Sequence, residues 1–382
     1  MKIRLPTVLA LALSSAPIAA ALPPPPPEVN EVPVSLLIDA GSGQVLEERR
    51  ADVSFAPASM TKVMTAFVAF EEYRAGRLPL HRKFVVADKT AREWFAKGTS
   101  MYLEGGEAPT ADQLLHGIMT ASANDASIVL AQGYAGSVDA WSFLMNGAAR
   151  RLGMTRSHFN TPNGWPDEGR TYVSARDLAK LGEAMIVRYP ALYHRYAGVK
   201  YWSYGGRMLR SHDPTVGVIR GADGIKTGYT ADAGYCFLGS AEREGRRLIM
   251  VVGGARSTPV RNAAARELLE WGFTAWDTVP LFARAETVAH ARVQDGDHRR
   301  LALVADRPLH AAVPKGSNAR VSVKVRYRGP LVAPIAKGTK VADLEIAVEG
   351  MRAGHVPLYA GEDVLIAGPV DRMVNGFMNL FP

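Results

Sequence analysis

Cysteine is the residue this sequence most clearly lacks, because Cys236 is the only one among 382 residues. A single thiol cannot form an internal disulfide, so a disulfide-stabilised fold is excluded even in an oxidising compartment. Cys236 lies in an apolar stretch at residues 233–238, which predicts a buried structural thiol rather than a nucleophile. The nine histidines show no ligand spacing such as H-E-x-x-H, so the sequence implies no metal and no cofactor.

Charge is not concentrated in any one segment. The formal net charge is +8, and the basic residues are scattered along the chain. No base-stacking motif accompanies them, which argues against nucleic acid as a partner. A basic balance of this kind suits an anionic surface such as a membrane or cell wall.

Long apolar runs are also missing, and this decides how the N-terminus is interpreted. Residues 1–21 combine Lys2 and Arg4 with a short apolar stretch and a small-residue end, as in a secretory signal peptide. A membrane anchor is the alternative, but Pro6 and Pro17 interrupt a run that is too short to span a bilayer. Removal of this segment would leave a net charge of +6. Residues 22–31 predict a stiff proline-rich spacer that holds the mature start away from the fold.

Three short motifs occur in a fixed order along the chain. They are Ser59-Met60-Thr61-Lys62, Ser122-Ala123-Asn124 and Lys226-Thr227-Gly228. Apolar residues at helical spacing follow Ser59, so Ser59 is predicted to open a buried helix with Lys62 on the same side. A serine hydroxyl needs a base to become a nucleophile, and a lysine can serve if burial and a nearby positive charge lower its pKa. Lys226 is a candidate for that charge.

The second and third motifs lie where chain breaks are predicted. Ser122 and Asn124 fall between two apolar helical patterns, where Ser122 can relay a proton and Asn124 can hold a substrate amide. The third motif reads as a strand followed by a glycine-rich turn and a second strand. There Gly228 allows a substrate backbone to approach, while Lys226 and Thr227 suit a carboxylate.

Each motif taken alone has a simpler interpretation. Ser59 can be a helix N-cap with Lys62 extended to solvent, and Ser122 can cap the helix that follows it. Lys226 can be an exposed lysine on an ordinary strand. The order of the motifs and their flanking residues favour a single site.

With those flanks included, the chain resembles the low-molecular-mass penicillin-binding proteins, which are serine-type D-alanyl-D-alanine carboxypeptidases. The flanks are residues 57–59 (PAS), 124–126 (NDA), 174–179 (SARDLA), 223–230 (DGIKTGYT), 233–235 (AGY) and 268–273 (LLEWGF). The resemblance covers nearly all of the mature chain.

The resemblance implies a mechanism and its site residues. Ser59 attacks the penultimate D-alanine carbonyl of a peptidoglycan stem peptide with Lys62 as base, and terminal D-alanine leaves. Backbone N–H groups of Ser59 and Tyr229 form the oxyanion hole. The terminal carboxylate is held by Arg210, in a segment that departs from the family's asparagine-rich run, and by Arg256, for which Arg261 is the alternative. β-Lactam antibiotics acylate Ser59.

Other functions stay open beside this one. A class A β-lactamase would need a glutamate near the cleft to activate the deacylating water, and residues 160–164 (NTPNG) and 174–177 (SARD) show no such motif. An endopeptidase acting on cross-links is a further enzymatic possibility. A binding or scaffolding protein with little turnover is the alternative from another class.

The predicted fold class is α+β. A β-lactamase/transpeptidase-like domain at residues 32–279 combines an antiparallel sheet, helices and an inserted helical subdomain. A small all-β domain at residues 280–367 acts as a spacer or partner surface. The apolar tail at residues 368–382 is predicted to lie peripherally on the periplasmic face of the inner membrane, with a disordered or packed tail as the alternative.

Overall fold

The computed structural model describes residues 22–368, and its first domain is built on a five-stranded antiparallel sheet. The strand order is β2-β1-β7-β6-β5. The strands are β1 (Val34–Asp39), β2 (Gln44–Arg49), β5 (Ala222–Thr230), β6 (Gly234–Arg243) and β7 (Arg246–Ala255). β1 and β2 pair as an antiparallel hairpin across Gly41 and Ser42. The sheet therefore joins the two ends of this domain's sequence.

Seven helices and a small hairpin are inserted between β2 and β5. The helices are α1 (Thr61–Arg74), α2 (Asp88–Trp94), α3 (Ala111–His116), α4 (Asn124–Ala135), α5 (Val138–Arg151), α6 (Ala175–Arg188) and α7 (Pro190–Tyr196). The hairpin consists of β3 (Tyr201–Tyr204) and β4 (Arg207–Arg210). Nearly every residue of α1 is buried, which matches a sequence that is apolar on most sides of the helix. α1 is thus the central helix of the inserted subdomain.

One helix and a short segment before β1 cover the other face of the sheet. This helix is α8 (Thr258–Thr274). A short 3₁₀ turn at Pro27–Glu31 packs on α8, and Val29 and Val32 are fully buried there. Val29 and Val32 therefore belong to the folded core, so this end of the predicted spacer packs on the fold instead of standing away from it, because the two valines fill an apolar surface.

The second domain is entirely β. Its six-stranded sheet has the order β12-β14-β15-β10-β9-β13, and β8 pairs with β11 beside it. The strands are β8 (Trp276–Phe282), β9 (Thr287–Gln294), β10 (Arg300–Val304), β11 (Leu309–Pro314), β12 (Val321–Arg326), β13 (Leu331–Val332), β14 (Lys340–Val348) and β15 (Gly354–Ala360). The alternating burial of β14 and β15 is that of a sheet with one face on a core. The first strand of this domain begins at Trp276, before residue 280.

Buried polar contacts join the two domains. The carboxylate of Asp39, at the end of β1, accepts hydrogen bonds from His310 Nε2 and Arg246 Nε, both at 2.7 Å. Gln44 exchanges two hydrogen bonds with the backbone of Ala312, at 2.7 and 3.1 Å. Because His310 and Ala312 lie on β11, these contacts fix the β-domain against the sheet of the first domain.

The N-terminal segment at residues 1–21 and the tail at residues 369–382 lie outside the described residues, so the predicted signal peptide and membrane-associating tail are not described structurally. Between residues 22 and 368, no helix is both long enough and apolar enough to cross a bilayer.

Candidate active site

Ser59 lies in a tight turn at the start of the central helix. A 3₁₀ turn at Ala58–Met60 leads directly into α1, whose N-cap position is Met60, so Ser59 is not the capping residue of this helix. Ala58 has a φ of 47°, an unusual left-handed value for a residue with a side chain. The turn directs the Ser59 hydroxyl toward Lys62, whose Nζ lies 2.8 Å from Ser59 Oγ. The predicted shared face of Ser59 and Lys62 is confirmed.

Lys62 is completely buried, and its ammonium group is held by three acceptors. Nζ donates to Ser59 Oγ, to Asn124 Oδ1 and to the backbone carbonyl of Asn163, each at 2.8 Å. Burial, aided by the positive charge of Lys226, places the pKa of Lys62 well below its ordinary value, against the opposing effect of Asp125. A lysine with this geometry can become neutral and take the proton of Ser59.

The second motif occupies the predicted break between helices. A π-helical turn at Gly117–Ala121 ends on Ser122, which adopts left-handed backbone angles (φ 62°, ψ 29°), and α4 begins two residues later. Asn124 holds Lys62 through its side-chain oxygen, and its Nδ2 donates to the carbonyl of Lys97 at 2.9 Å. Both side chains of the motif, Ser122 and Asn124, are buried at the cleft.

Asp125 anchors the loop that lies over this motif. Its buried carboxylate accepts hydrogen bonds from Ser100 Oγ (2.6 Å) and from the backbone N–H groups of Met101 (3.0 Å) and Leu103 (3.1 Å). The N–H of Ala126 also donates to Asp125, at 2.8 Å. With all of these donors satisfied, residues 100–103 are fixed beside the start of α4.

Asn163 is a site residue that the sequence did not reveal. Its carbonyl binds Lys62, and its side-chain Oδ1 accepts from the N–H of Trp165 at 3.0 Å. In the sequence, residues 160–164 were notable only for lacking the glutamate that a β-lactamase uses for deacylation. A backbone carbonyl carries no sequence signal, so only the run of turn-forming residues (NTPNG) pointed to a tight loop there.

The third motif lies within β5, at the edge of the sheet, and passes very close to the Ser59 turn. A Cβ at Gly228 would lie 2.6 Å from the carbonyl oxygen of Pro57 and 3.2 Å from the backbone nitrogen of Met60. No larger residue fits without moving one of the two segments. Tyr229 follows, half exposed, with its ring stacked on Tyr235 at a centroid distance of 4.2 Å.

Lys226 is buried beside two other charged groups. Burial lowers the pKa of Lys226 to about 7, with Asp213 acting to raise it and Arg261 to lower it further. The only hydrogen bond of its Nζ within residues 22–368 is to the carbonyl of Thr227, at 3.1 Å. This leaves donor capacity at the end of the cleft for an anionic ligand.

The three candidate arginines occupy different environments. Arg210 is exposed on β4. Arg256 is 74% exposed and pairs with Glu31 at 2.9 Å. Arg261, on α8, is only 4% exposed, and its charge acts on Lys226. The structure thus brings Arg261 to the buried lysine, whereas Arg256 is engaged at the surface.

His212 and Asp213 also belong to this region, although the sequence did not single them out as site residues. The pKa of His212 is lowered by burial and by the charges of Lys226, Arg261 and Arg210. Asp213 acts electrostatically on both Lys226 and Arg261. Neither residue falls in a recognisable motif, and their position depends on the path of the loop between β4 and β5.

Two further residues concern the alternative interpretations, which are Cys236 as a nucleophile and a glutamate that serves β-lactam hydrolysis. Cys236 is fully buried on β6 opposite Gly228, and burial raises the pKa of its thiol to about 11, as expected for a structural residue. Glu168 lines a small pocket together with Ala58 and Thr230, but its side chain is exposed. Within residues 22–368, no group of three or more histidine, cysteine, aspartate or glutamate side chains is arranged to hold a metal ion.

Together these residues have the arrangement that serine acyl transfer requires. It contains a hydroxyl in contact with a lysine that can become neutral, a second hydroxyl at Ser122, and cationic groups at Lys226 and Arg261 that can bind an anionic substrate end. Such a set supports attack on an acyl group next to a carboxylate.

Comparisons with known proteins agree with this chemistry. The family described as D-alanyl-D-alanine carboxypeptidase matches residues 25–257, and the C-terminal domain of penicillin-binding protein 5 matches residues 276–365. The chain is 32% identical over 349 residues to the D-alanyl-D-alanine carboxypeptidase DacF of Bacillus subtilis, covering 89% of this chain and 87% of that protein. It is 33% identical over 333 residues to DacA of Escherichia coli, covering 86% and 82%.

Solved structures show the same architecture. Penicillin-binding protein 5 from Haemophilus influenzae superposes with a TM-score of 0.72 at 27% identity, covering 88% of this chain and 98% of that one. Penicillin-binding protein D2 from Listeria monocytogenes, in its ampicillin-bound form, superposes with a TM-score of 0.58 at 28% identity, covering 64% and 98%. The predicted pairing of a transpeptidase-like domain with an all-β domain is confirmed.

Proposed function

The chain belongs to the family of D-alanyl-D-alanine carboxypeptidases, and from this membership we propose that it removes the terminal D-alanine from peptidoglycan stem pentapeptides through an acyl-enzyme on Ser59. The observation that carries the proposal is the contact between Ser59 Oγ and the buried Lys62 Nζ at 2.8 Å. It supplies a nucleophile and its base in one place.

Acylation follows from the protonation state of Lys62. In the neutral amine, Nζ accepts the Ser59 proton as Oγ attacks the penultimate D-alanine carbonyl. Asn124 Oδ1 and the carbonyl of Asn163 each lie 2.8 Å from Nζ and keep it in place as it becomes charged. Ser122, at the cleft, is suited to pass a proton to the leaving amine of D-alanine.

Binding of the substrate is assigned to β5 and the charged groups behind it. Gly228 allows the peptide backbone to approach, Asn124 faces a substrate amide, and the N–H groups of Ser59 and Tyr229 form the oxyanion hole. Lys226 and Thr227 receive the terminal carboxylate. Of the arginines, the buried Arg261 suits this carboxylate better than Arg256, which is paired with Glu31, or the exposed Arg210.

Water then hydrolyses the acyl-enzyme, and β-lactams block the site by acylating the same serine. The relative from Listeria monocytogenes has been solved with ampicillin bound. Fast β-lactam hydrolysis is not expected, because Glu168 is exposed and makes no hydrogen bond to Ser59 or Lys62. The enzyme is therefore expected to remain acylated by penicillins.

The decisive experiment incubates the mature protein with a pentapeptide ending in D-Ala-D-Ala and measures the released D-alanine. Wild type should release it and Ser59→Ala should not, whereas Ser54→Ala, which removes a hydroxyl five residues earlier that bonds Arg156 O at 3.3 Å, should stay active. Release by Ser59→Ala equal to that of wild type would contradict the assignment. Peptide binding by wild type without any release would favour the scaffolding alternative.

The location proposed for this activity is the periplasm. Residues 1–21 would direct export, and the apolar tail at residues 368–382 would hold the enzyme peripherally on the inner membrane. Deleting residues 369–382 and fractionating cells tests the tail. Loss of the protein from the membrane fraction supports it, and unchanged membrane association would refute it.

A further inference from the structure

Asp213 lies in a tight turn that is fixed against α8. Its Oδ1 accepts hydrogen bonds from the N–H of Thr215 (2.7 Å), the hydroxyl of Thr215 (2.8 Å) and the N–H of Val216 (3.0 Å). Arg266 on α8 donates to the neighbouring carbonyl of Pro214 at 2.8 Å. The turn is therefore held from two sides, and the position of the carboxylate is defined.

The second carboxylate oxygen of Asp213 is different. Oδ2 is buried and has no hydrogen-bond partner within residues 22–368. A carboxylate oxygen removed from water without a donor is costly unless cationic groups offset the charge. Two nearly buried cations, Lys226 and Arg261, interact electrostatically with this carboxylate.

When Lys226 is protonated, the charged groups at Asp213 carry one more positive than negative charge, so a second anion can bind. Lys226 and Arg261 are two buried positive groups, and Asp213 is the carboxylate that acts on both. The other titratable or charged groups that interact with this cluster or with Lys62 are His212, Arg266, Cys236, Tyr235 and Asp125, and Arg210 acts on His212. Burial and its cationic neighbours lower the pKa of His212, so it adds little positive charge at neutral pH.

We propose that Asp213 is a positioning residue for the reaction, whose free carboxylate oxygen, fixed by its turn, is a counter-charge to Lys226 and Arg261 at the point where the terminal carboxylate of the substrate binds. With one carboxylate supplied by Asp213 and one by the substrate, both cations have an anionic partner when Lys226 is protonated. This inference rests on the proposed carboxypeptidase function. It adds that the site selects a substrate whose end carries a negative charge.

A dependence on pH follows from this arrangement. The pKa of Lys226 is about 7, and Asp213 acts to raise it. Removing the negative charge of Asp213 should therefore leave less Lys226 protonated above neutral pH, which weakens capture of the carboxylate there. At pH 6 a larger share of Lys226 stays protonated in both proteins, so capture of the carboxylate should be weakened much less there than at pH 8.

The test compares Asp213→Asn with wild type in pentapeptide hydrolysis at pH 6 and pH 8. The asparagine keeps an oxygen to accept the hydrogen bonds of the turn but carries no charge. We expect the loss of charge to lower the pKa of Lys226 by roughly one unit. KM should then rise by about 5- to 10-fold at pH 8 but by less than about 2-fold at pH 6. The value of kcat should stay within about 2-fold of wild type at both pH values. The matched control is Glu267→Gln, which removes an exposed carboxylate from the same helix as Arg261 and should behave as wild type.

Two outcomes would overturn the proposal. One is a KM that is unchanged at both pH values. The other is a KM that rises equally at both together with a lower melting temperature, which would show a purely structural role. If Asp213→Asn folds poorly, Asp213→Ser, which also keeps a short acceptor for the turn, should show the same divergence between pH 6 and pH 8, and its absence counts against the proposal.

A failure of this inference is distinguishable from a failure of the proposed function. The proposed function fails if wild type releases no D-alanine. The role of Asp213 fails only when wild type is active and Ser59→Ala is inactive, yet Asp213→Asn shows no pH-dependent change in KM. The rate of Ser59 acylation by a penicillin, which also carries a carboxylate, gives a second readout and should fall in Asp213→Asn at pH 8 but not at pH 6.

Discussion

Replacing Gly228 by alanine tests whether the closeness of β5 to the Ser59 turn positions the nucleophile. The added methyl group would lie 2.6 Å from the carbonyl oxygen of Pro57, 3.2 Å from the nitrogen of Met60 and 3.3 Å from Cβ of Ala58. The backbone of Gly228 does not have a positive φ, so alanine adds no conformational strain of its own. The whole effect should come from the collision with the turn.

The size of the effect follows from that collision. An ordinary carbon–oxygen contact is about 3.5 Å, so the strand and the turn must separate by several tenths of an ångström to nearly 1 Å. Misplacement of a reacting group by about 1 Å can cost roughly 100-fold in rate, and overpacking typically costs about 1–3 kcal/mol of stability. We therefore expect Gly228→Ala to acylate about 10- to 100-fold more slowly than wild type.

The assay is the second-order rate of labelling by a fluorescent penicillin, paired with D-alanine release and urea unfolding. Gly147→Ala on α5 is the matched control, because its added methyl group would meet only the ends of the Arg151 and Arg150 side chains, at 3.4 and 3.9 Å. It should label at the wild-type rate and gain up to about 1 kcal/mol of stability. A labelling rate for Gly228→Ala within about 3-fold of wild type would show that the closeness of β5 to the Ser59 turn does not position the nucleophile.

The remaining predictions concern the base Lys62, the loop at residues 100–103 and the junction between the two domains. Because burial and the charge of Lys226 hold the pKa of Lys62 well below 10.5, the acylation rate should rise with pH and level off well before that value; a rate still rising there contradicts Lys62 as the base. Asp125→Ala leaves four donors without their acceptor, so it should lower the free energy of unfolding by about 3–5 kcal/mol in urea titrations. A loss below about 1 kcal/mol would show that residues 100–103 are held by other contacts. His310→Ala removes a donor to the buried Asp39 and should cost about 1–3 kcal/mol of stability while penicillin labelling stays within about 2-fold; slower labelling would mean that the junction reaches the active site.

Much of the fold was predictable because its signals are local. The apolar pattern after Ser59, the break at Ser122 and the strand at Lys226 all have the structures expected from hydrophobic periodicity and turn residues. The residues after 280 form the strands of the predicted all-β domain, and β14 shows the alternating burial expected of a sheet with one face on a core. The proline-rich start was less predictable, because composition did not show that Val29 has an apolar surface to fill on α8.

The choice among the arginines shows where sequence reasoning stops. Arg256 and Arg261 are five residues apart, at the end of β7 and within α8, and spacing alone left both open. In the folded chain one pairs with Glu31 at the surface and the other lies buried near Lys226. Whether a charge is exposed or buried depends on which segments pack over it, and that information is spread over the whole fold.

The sequence by itself determined the chemical groups of the site, because Ser59, Lys62, Ser122, Asn124 and Lys226 lie in short motifs whose residue types carry the chemistry. Only the tertiary structure decided how those groups are tuned. The carbonyl of Asn163 meets Lys62 across 101 residues of sequence, and Asp213 acts electrostatically on Lys226 from a turn fixed on α8. The physical reason is that the protonation and placement of buried charges depend on desolvation and on neighbours brought together by packing, which local sequence does not encode.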